Sequence, residues 1–191
     1  MAKLSQYADL LDLWSPKVNL LSCGSALELV DRHLLDSLAV AAVLPESGSI
    51  VDLGSGAGFP GIPLAILRPD QSFVLVEVRR RRATFLREVR RTLGLGNVEI
   101  LEQRAETPPT ANAKSAEAVV TRAVWSDESL LEIAARWLSG TGRLFWMRSD
   151  PWTGEMTDGV GRERIQYQVG QGRLRTVEIL RLDPSSSECS T

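Results

Sequence analysis

Cysteine and histidine are scarce in this chain, and it has no long apolar run. Its 191 residues include two cysteines, Cys23 and Cys189, and one histidine. Cysteines so few and so far apart predict a reducing compartment without disulfides, and the lack of a Cys/His cluster argues against a zinc site. No run approaches the roughly 18 apolar residues that span a membrane, and the N-terminus has no secretory signal pattern. We therefore expect a cytoplasmic chain with no membrane, metal or disulfide partner.

The net charge is small, but the charges are unevenly distributed. The formal net charge of −2 does not by itself indicate a nucleic-acid-binding protein. Residues 79–91 nevertheless hold seven arginines and one acid, and the spacing of Ala83, Leu86, Val89 and Leu93 predicts that they form one helix with a single buried stripe. The arginines then cover its other faces. They form either an ordinary solvated surface or, beside a ligand site, a surface that favours a phosphate-rich substrate.

The most informative segment is 50–61, where an apolar run ends in Asp52 and a glycine-rich turn follows. Gly54, Gly56 and Gly58 occupy alternate positions in this turn, and a helical stretch comes after it. A strand, a tight glycine turn and a helix in this order form the cradle in which α/β folds hold a nucleotide-like cofactor. An ordinary turn is a poor explanation for so many glycines.

Two classes of cofactor fit this turn. Residues 56–61 match the dinucleotide pattern G-x-G-x-x-G, in which backbone N–H groups bind a pyrophosphate. Pro60 lies inside the turn and has no N–H to donate, and a charged Asp52 at the mouth of the site would repel a diphosphate. S-adenosylmethionine carries a sulfonium and an ammonium group and no phosphate. The turn therefore favours S-adenosylmethionine over a dinucleotide.

An acid also closes the second predicted strand. The apolar run after Ser72 ends at Glu77, which follows Gly54 by 23 residues. A carboxylate at this position can accept hydrogen bonds from both ribose hydroxyls of a nucleoside. Because NAD and S-adenosylmethionine both contain that ribose, Glu77 supports a nucleoside without separating the two. A solvated strand end is the alternative interpretation.

The rest of the chain alternates strands with helices. Helices are predicted at 2–14, about 25–43, 61–68, 79–93 and 127–138, and strands at 49–53, 72–77, 98–101, 118–121 and 143–147, followed by a hairpin of 165–169 and 174–182. Residues 1–45 are expected to form an N-terminal helical extension, 46–182 the main domain and 183–191 a disordered tail. This order predicts a Rossmann-like α/β fold with a mainly parallel seven-stranded sheet, as in class I S-adenosylmethionine-dependent methyltransferases.

From about Tyr7 to Leu182 the chain resembles a bacterial family of 16S ribosomal RNA guanine-N7 methyltransferases, once called glucose-inhibited division protein B. The most specific matching element is Asp52-Leu-Gly-Ser-Gly-Ala-Gly-Phe-Pro-Gly-Ile-Pro-Leu64. Further matching segments are Trp14 with 19–22, then 32–37, 104–106 and 121–123. The chain departs from the family at Arg148-Ser149, where Lys-Gly is usual, and this departure concerns substrate contacts more than cofactor binding.

The resemblance implies S-adenosylmethionine as the cofactor and assigns residues to it. The residues implied to bind the cofactor are Gly54, Gly56 and Phe59 in the turn, Glu77, Val78 and Arg79 at the ribose and adenine, Ala105 and Glu106 flanking the adenine, and Arg122. Arg122, at the end of the fourth strand, is implied to hold either the carboxylate of the methyl donor or the target nucleotide. An ion pair of Arg122 with Glu106 or Asp52 is the alternative.

The resemblance also implies that the chain transfers a methyl group to N7 of a guanine in 16S ribosomal RNA. Its partner is then that RNA or the small ribosomal subunit. We expect the protein to be a monomer. Guanine N7 has a free lone pair and no proton to remove, so alignment is sufficient and no catalytic acid or base is assigned. The alternatives are a methyltransferase for another RNA or a small molecule and a non-enzymatic dinucleotide-binding module. Trp125 and Trp152, in predicted loops, are candidates to stack on a base.

Overall fold

The computed structural model describes residues 2–18, 20, 33–122, 125–154, 160–169 and 172–182. The helices are α1 (Ala2–Val18), α2 (Leu35–Ala41), α3 (Gly61–Leu67), α4 (Arg80–Thr92) and α5 (Asp127–Trp137). The strands are β1 (Ser49–Leu53), β2 (Ser72–Val76), β3 (Val98–Leu101), β4 (Ala116–Thr121), β5 (Leu138–Arg148), β6 (Val160–Val169) and β7 (Arg173–Leu182).

The seven strands form one sheet in the order β3-β2-β1-β4-β5-β7-β6. The strands β1 to β5 run parallel to one another, whereas β7 is antiparallel to both of its neighbours, β5 and β6. This confirms the predicted α/β fold with a mainly parallel seven-stranded sheet. The strand order reverses between β1 and β4, so the carboxyl ends of these two strands flank the crevice in which open α/β sheets bind ligands.

Helices cover the sheet on both faces, and each face has its own apolar core. Ile50 of β1 belongs to the core on the side of α1, α3 and α4. Val51 and Leu53 belong to the core on the side of α5. Alternate residues of a strand point to opposite faces, so a strand covered on both sides needs apolar residues at nearly every position. This is why the central strands appear in the sequence as continuous apolar runs.

The predicted arginine-rich helix is confirmed as α4. Ala83, Leu86 and Val89 are buried beneath it, and Leu93 is buried directly after its last residue. The arginines lie on the remaining faces, all of them exposed except the half-buried Arg82. The stripe of small and aliphatic residues therefore determines how α4 packs, and its positive charges are left at the surface.

Several predicted boundaries were too short. Helix α1 does not end at residue 14 but continues through Pro16, because a proline in the last turn removes only one intrahelical hydrogen bond. Strand β5 begins at Leu138, directly after α5, and β6 begins at Val160, because it pairs with β7 along its whole length. The predicted helix at about 25–43 falls largely outside the described residues, as do both cysteines and the predicted tail.

The described ranges contain neither a membrane-spanning helix nor a cluster of metal-binding side chains. No helix there has the length and the hydropathy needed to cross a membrane. Within the same ranges, no group of three or more histidine, cysteine, aspartate or glutamate side chains is placed so that it could hold a metal ion.

Candidate active site

The glycine turn joins β1 to α3 at the crevice. Gly54, Gly56 and Gly58 all have positive φ angles, of 71°, 59° and 99°, which glycine adopts at little cost. The backbone N–H groups of Gly54 and Ser55 donate to the carbonyl of Val76, at 3.0 and 3.1 Å, and so hold the turn against the end of β2. A Cβ placed on Gly56 would have no neighbour closer than 3.8 Å. The space beside the middle of the turn is therefore open.

Glu77 connects the turn to the start of α4. It is only 5% exposed, and its two carboxylate oxygens accept hydrogen bonds from the backbone N–H of Gly56 at 3.0 Å and of Arg79 at 2.7 Å. Each oxygen keeps a further lone pair, so the carboxylate can also accept hydrogen bonds from two ribose hydroxyls. The next residue, Val78, is 57% exposed and places an apolar side chain beside this carboxylate. A carboxylate next to an apolar surface suits a nucleoside.

The loop after β3 continues this site. The backbone N–H of Glu77 donates to the carbonyl of Leu101 at 3.0 Å, so the ends of β2 and β3 lie side by side. Ala105 is buried, and its carbonyl accepts a hydrogen bond of 2.7 Å from the indole N–H of Trp137 in α5. No role in the site was predicted for Trp137 from the sequence, yet this buried indole holds the loop in place. The sequence feature that could have revealed this role is the indole N–H on an otherwise apolar helix face. Such a polar group needs a hydrogen-bond partner when it is buried.

Glu106, next to Ala105, is half-buried in the same loop. Its carboxylate pairs with Arg104 at 3.0 Å, and its carbonyl accepts a hydrogen bond from Arg136 of α5. Hydrogen bonds from its own backbone N–H and from Arg104 hold the pKa of Glu106 below its usual value. The side chain is therefore an ionised acceptor close to the place predicted for the adenine. Of the predicted cofactor residues, those in the turn, after β2 and after β3 lie along one edge of the sheet.

The role predicted for Asp52 is wrong. Its side chain is 1% exposed and lies beneath the turn, where Oδ2 accepts a hydrogen bond of 3.0 Å from the backbone N–H of Gly61 at the start of α3. The reason is strand alternation, because Asp52 shares the face of Ile50 that α3 covers. Burial raises the pKa of Asp52 to about 7. Asp52 therefore shapes the turn from below and places no charge at the mouth of the site.

The raised pKa of Asp52 makes the stability of the fold depend on pH. Because the folded pKa of about 7 exceeds the ordinary value of 3.8, the contribution is complete below about pH 4 and is lost as the pH rises to 7. Asp52→Asn can still accept the Gly61 N–H but cannot ionise. We expect thermal unfolding to show a larger gain in Tm for this variant, relative to the parent, at pH 8 than at pH 5. An equal difference at both pH values would contradict the buried, titrating carboxyl.

Helix α1 supports the turn through one tyrosine. The hydroxyl of Tyr7 donates a 2.6 Å hydrogen bond to the carbonyl of Ala57, and its ring packs against Phe59 with centroids 5.3 Å apart. The imidazole of His33 stacks on the same Phe59 ring at 5.0 Å. The stacking contact gives His33 a packing role. Because two rings pack on the Phe59 side chain, the predicted contact of Phe59 with the cofactor falls to its backbone. The sequence alone suggested no role for Tyr7 in the site.

Arg122 lies across the crevice, after β4, in a cluster of charged residues. It pairs with Oδ2 of Asp36 at 3.6 Å, and Arg175 of β7 lies 3.7 Å from the same oxygen. The hydroxyl of Tyr167 donates to Oδ1 of Asp36 at 3.3 Å. Burial raises the pKa of Asp36 and lowers the pKa of Arg122. The ion pair described for Arg122 is thus with Asp36 of α2, a partner that the sequence did not suggest.

A cavity of about 380 Å³ opens beside this cluster, at the carboxyl ends of β4 and β5. Its walls include Arg122, Tyr167 and Arg175 together with Trp125 and Arg148. The volume falls within the range of small-ligand sites, and the walls combine aromatic rings with three arginines and three aspartates. The family usually has Lys-Gly where this chain has Arg148-Ser149, and Arg148 keeps the positive charge at that position. Stacking of a base on the half-buried Trp125 stays a prediction.

The second tryptophan proposed for base stacking does not reach this cavity. Trp152 is 4% exposed, its indole N–H donates to Oδ2 of Asp127 at 2.7 Å, and its ring packs on Trp146 with centroids 5.9 Å apart. The guanidinium of Arg162 lies 5.0 Å from the centre of the same ring, so the ring and its polar edge are both engaged inside the protein. The interpretation of Trp152 as a base-stacking residue is wrong.

The sheet order, the glycine turn after β1 and the clamped acid after β2 define a Rossmann-like class I S-adenosylmethionine-dependent methyltransferase. The residues fit that cofactor, since Glu77 can accept the ribose hydroxyls, Val78 offers an apolar surface and the space beside Gly56 is open. A family model described as "rRNA small subunit methyltransferase G" (GidB) matches residues 1–176. The chain belongs to this family, which decides against a non-enzymatic dinucleotide-binding module.

Individual relatives agree with this assignment. Proteins named "Ribosomal RNA small subunit methyltransferase G" include one from Desulfotalea psychrophila, 37% identical over 158 residues, and one from Mycobacterium avium, 40% identical over 151 residues. These alignments cover 82% and 78% of this chain, and 73% and 61% of the relatives. A solved structure of a SAM dependent methyltransferase from Aquifex aeolicus has a TM-score of 0.63 at 14% identity, covering 92% of this chain and 98% of that one, and shows the shared fold.

Proposed function

We propose that this chain transfers the methyl group of S-adenosylmethionine to N7 of a guanine in 16S ribosomal RNA. The observation that carries the proposal is the match of residues 1–176 to the rRNA small subunit methyltransferase G family. The substrate is the RNA itself or the small ribosomal subunit, and the protein acts as a cytoplasmic monomer. The crevice geometry supports this proposal, because the candidate nucleoside site and a cavity with aromatic and charged walls lie on either side of the end of β1.

The cofactor supplies an activated methyl group, and the chain orients it. Glu77 accepts hydrogen bonds from the ribose hydroxyls, while Val78 and Arg79 line the adenine on one side. Ala105 and Glu106 flank the adenine on the other side, where Trp137 fixes the loop. The methionine part lies along the turn, against the backbone of residues 54–59, where glycines allow close approach.

The target guanine needs positioning rather than proton transfer. Its N7 presents a lone pair, so the protein has to hold the base in line with the methyl group and exclude water. The cavity walls formed by Arg122, Arg175 and Tyr167 favour the assignment of Arg122 to the target nucleotide over the carboxylate of the methyl donor. Asp36 is then a positioning residue, because it pairs with both arginines.

Arg122→Ala is expected to lower kcat/KM for the RNA about tenfold and to leave the Kd of S-adenosylmethionine nearly unchanged. The substitution removes a cation from the cavity wall and leaves the buried Asp36 with less compensation. Methyl transfer and calorimetric cofactor binding measure the two effects, and Arg122→Lys is the control that keeps the charge. A raised cofactor Kd would assign Arg122 to the carboxylate of the donor instead, and full activity would reject both roles.

The proposed function is tested by transfer of radiolabelled methyl from S-adenosylmethionine to small ribosomal subunits and RNA that lack the modification. The labelled base is then mapped. Label at N7 of one guanine is the expected result. If no label is transferred although thermal shift shows that the protein binds S-adenosylmethionine and not NAD, the cofactor assignment stands and the proposed substrate is wrong.

A further inference from the structure

A second cavity, of about 420 Å³, lies between the end of α1 and the beginning of α4. We call it the α1–α4 groove, and its walls are Trp14, Lys17 and Val18 from α1 with Arg80, Arg81 and Thr84 from α4. Every charged side chain in these walls is a cation. The groove is separate from the cavity at the ends of β4 and β5, and nothing in the cofactor site accounts for its charge.

The cations of the groove differ from other arginines of the same helix in their pairing. Arg87 pairs with Glu102 at 2.7 Å, and Arg91 pairs with Glu88 at 2.6 Å. Lys17, Arg80 and Arg81 are exposed, and none of the carboxylates in the described part of the chain forms an ion pair with them. Like charges held close together repel one another. An ordinary solvated face explains the paired arginines, whereas three neighbouring unpaired cations suit a bound polyanion.

An aromatic ring forms part of the same wall. Trp14 is half-buried, and its ring is fixed by contact with Phe85 of α4 at a centroid distance of 5.7 Å. A positively charged groove with a fixed aromatic side chain is the combination that binds single-stranded nucleic acid, because the cations follow the phosphates and the ring stacks on a base. The groove therefore has the chemistry of a nucleic-acid site rather than that of a site for a simple anion.

The groove also lies next to the cofactor site. Helix α4 begins at Arg80, and the residue before it, Arg79, donates its backbone N–H to the carboxylate of Glu77. A strand bound by Arg80 and Arg81 is thus near the adenosine side of the crevice. We propose that the α1–α4 groove binds the sugar–phosphate backbone of the substrate RNA beside the adenosine side of the crevice, an inference that rests on the proposed function.

The test compares two double variants that remove the same charge from the same helix. Arg80→Ala with Arg81→Ala changes the groove, and Arg87→Ala with Arg91→Ala changes only arginines that are paired with acids. Binding to small ribosomal subunits and to naked 16S RNA is measured over a series of salt concentrations. We expect the groove variant to bind about tenfold more weakly at low salt, with a slope of log K against log salt smaller by about 1.4. The control variant should keep the parent's affinity and slope.

Methyl transfer separates this inference from the proposed function. The groove variant should raise KM for the RNA without changing kcat or the Kd of S-adenosylmethionine. Equal losses in the two double variants, or full affinity of the groove variant, would overturn the groove as the RNA site, as would a parent protein that binds neither RNA nor subunits. A parent that binds RNA through the groove but does not methylate guanine N7 would overturn the proposed function alone.

Discussion

Replacing Glu77 with alanine is expected to raise the Kd of S-adenosylmethionine about 100-fold. The carboxylate accepts two backbone hydrogen bonds, from Gly56 and Arg79, which fix the turn and the start of α4. In the proposed cofactor site it also provides the acceptors for the ribose. Hydrogen bonds to a charged group contribute about 1.5–3 kcal/mol each, and about 1.4 kcal/mol corresponds to a tenfold change in Kd. Loss of two such bonds therefore accounts for the expected effect, which isothermal titration calorimetry measures directly.

Two further variants make the Glu77 experiment decisive. Glu77→Gln keeps one acceptor oxygen but turns an amide N–H₂ toward one of the two backbone donors, so we expect an increase in Kd of only about tenfold. Glu99→Ala, on the exposed side of β3, removes the same charge and should leave Kd unchanged. Thermal unfolding without ligand checks that each variant is folded. If folded Glu77→Ala binds the cofactor as tightly as the parent, Glu77 has no part in the cofactor site.

The elements predicted best are those with a local signal. Strands β1 and β3 have the predicted bounds, because glycines flank β1 on both sides and an acid, Glu102, follows β3. Glu77 was placed correctly at the end of β2 because the length of the strand determines where the carboxylate emerges. A buried strand and the turn that follows it are read from neighbouring residues, so no distant contact is needed to predict them.

The features that sequence reasoning missed depend on contacts between distant parts of the chain. Tyr7 and Ala57 are separated by 50 residues, and Asp36 and Tyr167 by 131. Asp52 was predicted at the mouth of the site because the sequence shows a charged residue at the end of a strand. The sequence does not show which face of β1 helix α3 covers, and Asp52 lies on that face. The same limit applied to Trp152, whose burial depends on the antiparallel β6–β7 pair that supplies its neighbours.

These long-range contacts show that the N-terminal helices hold parts of the candidate site in place. Tyr7 of α1 holds the glycine turn, and Asp36 of α2 holds Arg122 and Arg175 at the other end of the crevice. The two helices therefore support both halves of the site. Because the proposed cofactor site and the proposed substrate cavity share this support, we expect both to change when the N-terminal helices are displaced.

Among the variants proposed, Glu178→Ala is expected to lower the free energy of unfolding the most, by about 3–5 kcal/mol. Glu178 of β7 is 0% exposed, and its carboxylate accepts hydrogen bonds from Arg162 at 2.9 Å, Arg164 at 2.8 Å and the backbone N–H of Trp152 at 2.9 Å. Removing the carboxylate leaves one buried N–H without its acceptor and two partly buried guanidinium groups with only the Trp152 carbonyl, and breaking a buried ion pair from one side costs about this amount. For a chain of this size the expected fall in Tm is about 6–20 °C.

The same substitution connects stability to the site. Trp152 packs on Trp146, which lines the cavity, and its indole is bound to Asp127, so loss of the acceptor for its backbone N–H should also loosen the cavity wall. We therefore expect folded Glu178→Ala, assayed below its Tm, to show a raised KM for RNA and an unchanged Kd for the cofactor. Glu163→Ala, exposed on the neighbouring strand β6, removes the same charge and should shift the stability by less than about 0.5 kcal/mol. A Tm for Glu178→Ala equal to that of this control would mean that the buried carboxylate does not hold the hairpin to the rest of the sheet.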